Sequence, residues 1–268
     1  MLFHIKRVFL RFFLERYYDQ SAQLGYYLML SVFPFLLFVF SLISYLPITE
    51  TNVLLLIKPF APAESYEMIH DTVDRILSTR RGDVLSISAI FTFWLSSMAV
   101  QSLVRSLNEA YNIKRKKSFF LALVYDLLLT IGFMVVISFS LIVPVLEEII
   151  QQSNFTQAHF SDGWSQLWLL LKWGMGSLFM FFLFTFLYLV VPSRVISVIY
   201  VIPGALVATF GWQAVSLVYS RYVRWNDYTE VYGQLGSVIT LMVWFYLSSA
   251  ILLLGGLLNG SIIRGKND

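Results

Sequence analysis

Cysteine is absent from this chain of 268 residues, and Asp, Glu, Lys and Arg together make up only 13% of it. The lack of cysteine excludes disulfides, cysteine-ligated zinc and thiol catalysis. The low charge excludes an ordinary soluble domain, in which about 25% of residues are charged. The three histidines lie in separate parts of the chain, and none has another histidine four residues away. We therefore expect no metal site and no histidine-based catalysis.

Familiar catalytic motifs are also lacking. The sequence contains no H-E-x-x-H, no Gly-x-Ser-x-Gly and no phosphate-binding Gly-x-x-x-x-Gly-Lys. Two-metal nuclease chemistry needs clustered carboxylates and histidines, whereas the carboxylates here are scattered between apolar runs. We predict that the protein is not an enzyme, needs no cofactor and binds no nucleic acid.

Long apolar runs dominate what is present. Hydrophobic residues make up 58% of the chain, and residues 20–49 contain no charged residue. A helix that crosses the hydrocarbon core needs about 20 apolar residues, whereas membrane β-strands alternate over about ten. The sequence predicts an all-α, polytopic membrane bundle that forms a single domain over residues 1–268. The six predicted spans are Leu24–Leu46, Val84–Val104, Phe119–Leu146, Leu167–Val191, Val195–Val218 and Gln234–Asn259.

The basic residues indicate how the chain is oriented. With a cytoplasmic N-terminus, twice as many Lys and Arg residues fall in inside segments as in outside segments. The densest cluster, Lys114–Lys117, is then cytoplasmic, while the external segment 147–166 has neither Lys nor Arg. Because cytoplasmic loops are enriched in these residues, we predict that both termini are cytoplasmic.

Two further segments have helical periodicity. In the cytoplasmic segment 1–23, residues 3–17 place Val8, Phe9 and Phe12 on one face and Lys6 and Arg7 elsewhere. This pattern predicts an interfacial helix on the anionic inner leaflet. The sequence of the first external loop predicts a short helix that begins near Pro62, because proline suits the first turn of a helix. That helix either caps the outer mouth of the bundle or rests on it as a solvated loop helix.

Charged residues inside spans are candidates for function, because they are costly unless paired or hydrated. Asp126 lies roughly 10 Å along the third span. It either lines a cavity that opens to the cytoplasm or forms a structural ion pair with Arg105 or Arg194. Lys172 lies just inside the outer end of the fourth span. Its side chain either reaches the interface or pairs with a carboxylate that ends the third span.

Uncharged polar residues and helix breaks complete the candidate set. The candidate cavity or substrate path comprises Asp126, Gln101, Gln213, Arg105, Asn108 and Lys172. Proline frees backbone carbonyls and glycine permits close helix packing. The candidates for these roles are Pro34, Pro203, Gly204, Gly233, Gly236, Gly255 and Gly256.

Several motifs in order resemble the YihY/BrkB family of bacterial inner-membrane proteins. They are Tyr26–Pro34, Trp94–Ser97, Asn108–Tyr111, Pro203–Ala205, Tyr232–Ser237 and Gly255–Asn259. The resemblance covers essentially the whole chain and implies six spans in the inner membrane. It also implies a historical ribonuclease label, which the residue inventory contradicts. Family members often carry Glu where this chain has Leu257, so a carboxylate role there is in doubt.

These observations favour a transporter or flippase-like protein for a lipid or amphiphilic solute, as has been suggested for members of the family. The alternative is a non-transporting envelope scaffold or assembly partner of another membrane complex. A lipid-modifying enzyme ranks third, since Ser31 and Ser96 have no histidine nearby in the sequence. Membrane lipids are the expected partners, and the oligomeric state stays open.

Overall fold

The computed structural model describes residues 2–43, 82–114, 119–152, 163–225 and 234–265, and these residues form seven α-helices without any strand. The helices are α1 (Leu2–Leu14), α2 (Tyr17–Ile43), α3 (Gly82–Ala110), α4 (Phe119–Gln152), α5 (Gly163–Val190), α6 (Val198–Trp225) and α7 (Gln234–Arg264). The prediction of an all-helical chain is therefore confirmed for the described residues.

Within the described residues, four stretches are long and apolar enough to cross a membrane. They are Tyr17–Val39, Gly82–Ala110, Val198–Val223 and Val238–Arg264. Shorter apolar stretches, Phe120–Val136 and Gly174–Val190, lie in α4 and α5. A helix overlies each of the six predicted spans, but the count of six crossings stays a prediction.

The two additional predicted helices have different outcomes. Helix α1 exists at Leu2–Leu14, and its position at the membrane interface stays a prediction. The predicted loop helix near Pro62 lies outside the described residues. Between α1 and α2, Arg16 adopts a positive φ of 57°, so the chain changes direction within two residues instead of continuing as one helix.

Helix α3 ends in a Schellman motif. The N–H of Ile113 donates to the Asn108 carbonyl at 2.8 Å, and the N–H of Asn112 donates to the Glu109 carbonyl at 3.0 Å. Asn112 has a φ of 55°, the left-handed conformation that this motif requires and that asparagine tolerates better than most residues. The motif fixes where Asn108, Glu109 and Ala110 lie.

The chain forms two compact units, and the single domain over residues 1–268 stays a prediction. The first unit comprises Met1–Met29, Ser96–Leu129 and Leu169–Asp268. Within it, α7 packs against α6 and α1, and Leu107, Leu253 and Leu257 are fully buried. Because Leu257 lies in this core, the apolar residue at the family's glutamate position fits its surroundings.

The second unit comprises Leu30–Leu95 and Thr130–Trp168. Two of its buried hydroxyls bond to their own helix: Ser88 donates to the Leu85 carbonyl and Thr92 to the Ser88 carbonyl. Large apolar side chains such as Ile90 and Trp94 are more than half exposed. Lipid tails can cover such side chains without cost, so this surface suits a membrane.

Candidate functional site

Helices α6 and α7 approach each other closely where glycine faces glycine. A Cβ atom at Gly204 would collide with the Gly255 carbonyl oxygen and with the Asn259 side-chain amide. A Cβ atom at Gly255 would lie 2.6 Å from the Gly204 carbonyl oxygen and would also collide with the Tyr188 hydroxyl. Only glycine fits at this crossing without moving the backbones apart, as in other close contacts between membrane helices.

The side chain of Asn259, on α7, forms hydrogen bonds to residues outside its own helix at this crossing. Its Oδ1 accepts a hydrogen bond from the Gly204 N–H at 2.7 Å, and its Nδ2 donates to the Tyr111 hydroxyl at 3.4 Å. Asn259 is completely buried. Burial raises the pKa of Tyr111 above its ordinary value, although the hydrogen bond from Asn259 opposes the shift. The phenol therefore stays neutral at physiological pH.

Asn108 connects the end of α3 to the segment that follows α5. Its Nδ2 donates to the Ser193 hydroxyl at 2.9 Å, and its Oδ1 accepts from the Ser193 N–H at 2.8 Å. Asn108 is buried, so both ends of its amide are satisfied by one residue. The predicted place of Asn108 on a substrate path stays a prediction, whereas its role as a bridge is clear from these bonds.

Two arginines from distant parts of the sequence meet at the carbonyl end of α3. Arg11 Nη2 donates to the Ala110 carbonyl at 3.4 Å, and Arg264 Nη2 donates to the same oxygen at 3.5 Å. Arg264 Nη2 also donates to the Glu109 carbonyl at 3.3 Å. Cations are favourable there because the C-terminal end of a helix carries partial negative charge.

Two glutamates accompany this pair of arginines, and one of them forms an ion pair. Glu15 accepts two hydrogen bonds of 2.8 Å from Arg11 in a bidentate ion pair. The Glu109 carboxylate accepts a hydrogen bond from Gln20 Nε2 at 2.9 Å. Tyr17 is completely buried, and the charges that act on its hydroxyl are those of Arg11, Glu15, Glu109 and Arg264. We call these six residues, Arg11, Glu15, Tyr17, Gln20, Glu109 and Arg264, the α3-end cluster.

Four buried atoms of the α3-end cluster have no hydrogen-bond partner. They are Arg11 Nη1, the Tyr17 hydroxyl, Gln20 Oε1 and Arg264 Nε. Each buried polar group left unpaired costs about 1–3 kcal/mol. Four such atoms in one cluster show that its hydrogen-bonding capacity is far from used up.

Polar side chains also lie near the middle of several helices. Gln213 Nε2 donates to the Ser177 hydroxyl at 2.8 Å, which joins α6 to α5. Gln101 Nε2 donates to the Ser97 hydroxyl at 3.0 Å within α3. Both glutamines are half-buried. The structure thus pairs Gln213 between helices and Gln101 within one helix.

The charged candidates are placed differently from one another. Asp126 is buried and takes part in a polar interaction, while Arg105 and Arg194, the partners suggested for it, are both exposed. Lys172 belongs to α5, but its side chain lies outside what the structure describes. The roles predicted for Asp126 and Lys172 therefore stay predictions.

The remaining candidates are mostly within helices. Pro34 lies inside α2 and Pro203 inside α6. Gly256 faces the Leu107 side chain, and the Gly236 carbonyl accepts a hydrogen bond from Thr240 at 2.6 Å. Gly233 lies outside the described residues.

Sequence reasoning missed the α3-end cluster. In the sequence, Arg11 and Arg264 are basic residues in the flanks of spans and so indicate only topology, and Tyr17 belongs to no motif. The available signal was Glu109 in the motif Asn108–Tyr111, since a carboxylate at the end of a span needs a partner. Asn259 was quoted only as part of a motif, although a buried asparagine in an apolar helix is itself a signal.

Comparisons with known proteins agree with this architecture. The family model described as virulence factor BrkB matches residues 8–267. The ribonuclease-like protein YfkH of Bacillus subtilis (strain 168) is 36% identical over 265 residues, which cover 98% of this chain and 96% of the relative. A UPF0761 membrane protein of Aliivibrio salmonicida is 27% identical, covering 95% of this chain and 80% of the relative. No solved structure matches. The chain is a multi-pass inner-membrane protein that belongs to the BrkB family.

Proposed function

We propose that the protein moves a lipid or another amphiphilic solute across the inner membrane. The observation that carries this proposal is the hydrogen bond between Gln213 and Ser177, 2.8 Å long. Ser177 lies at the middle of α5, and Gln213 lies in the central part of the apolar stretch Val198–Val223. Both side chains are half-buried, so this polar pair is partly exposed near the middle of two apolar helices. Transporters commonly bind their substrates near this depth.

Unused hydrogen-bonding capacity on α7 supports the same proposal. The hydroxyls of Ser248 and Ser249, at the middle of α7, are buried and have no partner. Elsewhere on α7, Thr240 and Ser261 donate to carbonyls of their own helix. A polar group without a partner is expensive in hydrocarbon. A solute with a polar head would compensate this cost as it passes.

The proposed energy source follows from the sequence. Because the chain has no phosphate-binding Gly-x-x-x-x-Gly-Lys motif, uphill movement would need an ion gradient or a partner. Downhill movement between leaflets would need neither. We also propose that the protein is not a nuclease, since the sequence offers no constellation of carboxylates and histidines for that chemistry. The word ribonuclease belongs to the name of the relative.

The test is lipid movement in reconstituted liposomes. A fluorescent phospholipid is placed in one leaflet, and its appearance in the other is followed with and without an imposed proton gradient. We expect movement with the wild-type protein and about fivefold slower movement with Gln213→Leu, which corresponds to one lost hydrogen bond of about 1 kcal/mol.

The matched control is Thr209→Val, one turn away on α6. The Thr209 hydroxyl donates to the Ala205 carbonyl of its own helix at 2.8 Å, so its loss should leave movement unchanged. Equal rates for vesicles with and without wild-type protein would refute the proposal. Equal rates for wild type and Gln213→Leu would refute the role of Gln213.

A second candidate function is an envelope scaffold, which one observation favours. Gly174 and Gly176 are exposed on α5, and a Cβ atom at either would meet nothing within 4 Å. Such a surface permits close approach of a helix from another protein. If this function holds, Gly176→Leu should abolish crosslinking to a partner in native membranes, and reconstituted wild-type protein should move no lipid.

A further inference from the structure

The α3-end cluster contains unpartnered atoms of two kinds. Arg11 Nη1 and Arg264 Nε are donors, and the Tyr17 hydroxyl is a donor that also accepts. Gln20 Oε1 is an acceptor only. A ligand that satisfies all four must therefore offer both acceptor atoms and a donor.

These atoms belong to one place in the fold. The Nη2 atoms of Arg11 and Arg264 donate to the same Ala110 carbonyl oxygen, at 3.4 and 3.5 Å. Gln20 donates to the carboxylate of Glu109, the residue before Ala110. Tyr17 lies one helical turn before Gln20 on α2. Its hydroxyl is close enough to both arginines to be affected by their charges. The cluster thus brings together α1, α2, α3 and α7.

The charge of the cluster selects among ligands. Two guanidinium groups are balanced by the carboxylates of Glu15 and Glu109, and the carbonyl end of α3 adds partial negative charge. A simple anion would gain from the arginines but would be repelled by the carboxylates. A simple cation would meet the opposite difficulty. A ligand that carries both a negative and a positive charge matches both the arginines and the carboxylates of the cluster.

We propose that the α3-end cluster binds a zwitterion made of a phosphate and a primary ammonium, the chemistry of an ethanolamine phosphate head group. The phosphate oxygens accept hydrogen bonds from Arg11 Nη1, Arg264 Nε and the Tyr17 hydroxyl. The ammonium donates to Gln20 Oε1 and to the Glu109 carboxylate. Arginine suits the phosphate half because its planar guanidinium presents several donors. The inference deepens the proposed movement of lipids and rests on it for its biological meaning.

The position of the cluster suits a lipid head group. The apolar stretch Gly82–Ala110 ends at the residue whose carbonyl both arginines bind, so the cluster lies where a span meets the polar interface. Glu109 is exposed, and the Glu15 side chain is 35% exposed. The cluster therefore has an accessible rim above its buried atoms, and the half-buried Arg264 is the side chain whose movement would admit a head group.

The test measures binding and not movement. Calorimetric titrations use the purified full-length protein in detergent and short-chain phosphatidylethanolamine, phosphatidylcholine and phosphatidylglycerol. We expect phosphatidylethanolamine to bind about tenfold more tightly than phosphatidylcholine, because the quaternary ammonium of the latter cannot donate to Gln20 or Glu109. Phosphatidylglycerol, which is anionic, should also bind more weakly than phosphatidylethanolamine.

Variants separate the residues that would bind the ammonium from those that would bind the phosphate. Gln20→Leu should weaken phosphatidylethanolamine about tenfold and leave phosphatidylcholine unchanged, which a merely damaged fold would not do. Arg264→Gln should weaken both lipids. Ser220→Ala, an exposed hydroxyl on α6 that bonds to its own helix, should change neither. If Arg264→Gln does not fold, the response of Gln20→Leu decides alone.

Two results would overturn the inference: equal affinity for the three lipids, or an equal effect of Gln20→Leu on phosphatidylethanolamine and phosphatidylcholine. Soluble phosphoethanolamine, titrated in parallel, distinguishes the sources of the ligand. If phosphoethanolamine binds as tightly as short-chain phosphatidylethanolamine, the site recognises the head group alone and its ligand can be a free solute. If phosphoethanolamine binds much more weakly, the ligand is a membrane lipid. Selective binding without movement in liposomes would refute the proposed function while leaving this site intact.

Discussion

The Asn259 side chain of α7 binds the backbone of α6 at Gly204: its Oδ1 accepts a hydrogen bond from the Gly204 N–H at 2.7 Å, one residue after Pro203. Proline disturbs the backbone hydrogen bonds of the helix that contains it. The asparagine of α7 thus supplies a hydrogen-bond acceptor to α6 beside its proline, at the crossing where Gly204 faces Gly255.

Replacing Asn259 with Leu should destabilise the protein. The substitution leaves the Gly204 N–H without its partner in a fully buried position, and an unpaired buried group of this kind costs about 1–3 kcal/mol. Thermal unfolding in detergent, followed by circular dichroism, measures the change. Leu258→Ala, at the neighbouring half-buried position, controls for general loss of apolar packing. An unchanged midpoint for Asn259→Leu would show that the hydrogen bond contributes nothing.

Adding a single methyl group at the crossing should also destabilise the fold. Gly204→Ala would place a Cβ against the Gly255 carbonyl oxygen and the Asn259 amide, so the helices must separate, at a cost of about 1–3 kcal/mol. Gly174→Ala is the matched control, because a Cβ there meets nothing within 4 Å. Alanine favours a helix over glycine by about 1 kcal/mol, so the control should be neutral or slightly stabilising. Equal unfolding midpoints for the two variants would contradict the close approach.

The bridge between Asn108 and Ser193 predicts a specific pattern of coupling. Ser193→Ala removes one hydrogen bond and should cost about 1 kcal/mol, whereas Asn108→Leu removes both and should cost about 2 kcal/mol. Because the same interaction is lost in each, the double variant should be no less stable than Asn108→Leu alone. Chemical denaturation of the wild type, the two single variants and the double variant measures the free energies of unfolding for this double-mutant cycle. Strict additivity would mean that the two residues act independently.

Helix positions were predictable because a charge-free run of 20 or more residues has few alternatives to a membrane helix. The ends of the helices were harder to predict. Helix α2 begins at Tyr17 and not at Leu24, because the polar turn between them is also helical and packs its buried Tyr17 and Ser21 inward. Hydropathy alone cannot show such an extension.

The site was predictable only in part. Asn108 and Gly204 were recognisable from their motifs, and the structure gives each a close partner. Arg11 and Arg264 come from opposite ends of the chain, and only the packing of α1 against α7 brings them together. Basic residues in flanks are normally explained by topology, so sequence patterns give no reason to pair these two.

The predicted orientation can be tested directly because the chain contains no cysteine. A single cysteine at Lys114, an exposed residue after α3, should be protected from a membrane-impermeant maleimide in intact spheroplasts and become reactive after permeabilisation. A cysteine at Arg80, in the predicted first external loop, should react without permeabilisation and is the internal control. The physical reason is the excess of Lys and Arg at Lys114–Lys117, which favours retention in the cytoplasm. Labelling of the Lys114 variant in intact spheroplasts would reverse the topology and place the α3-end cluster at the outer leaflet.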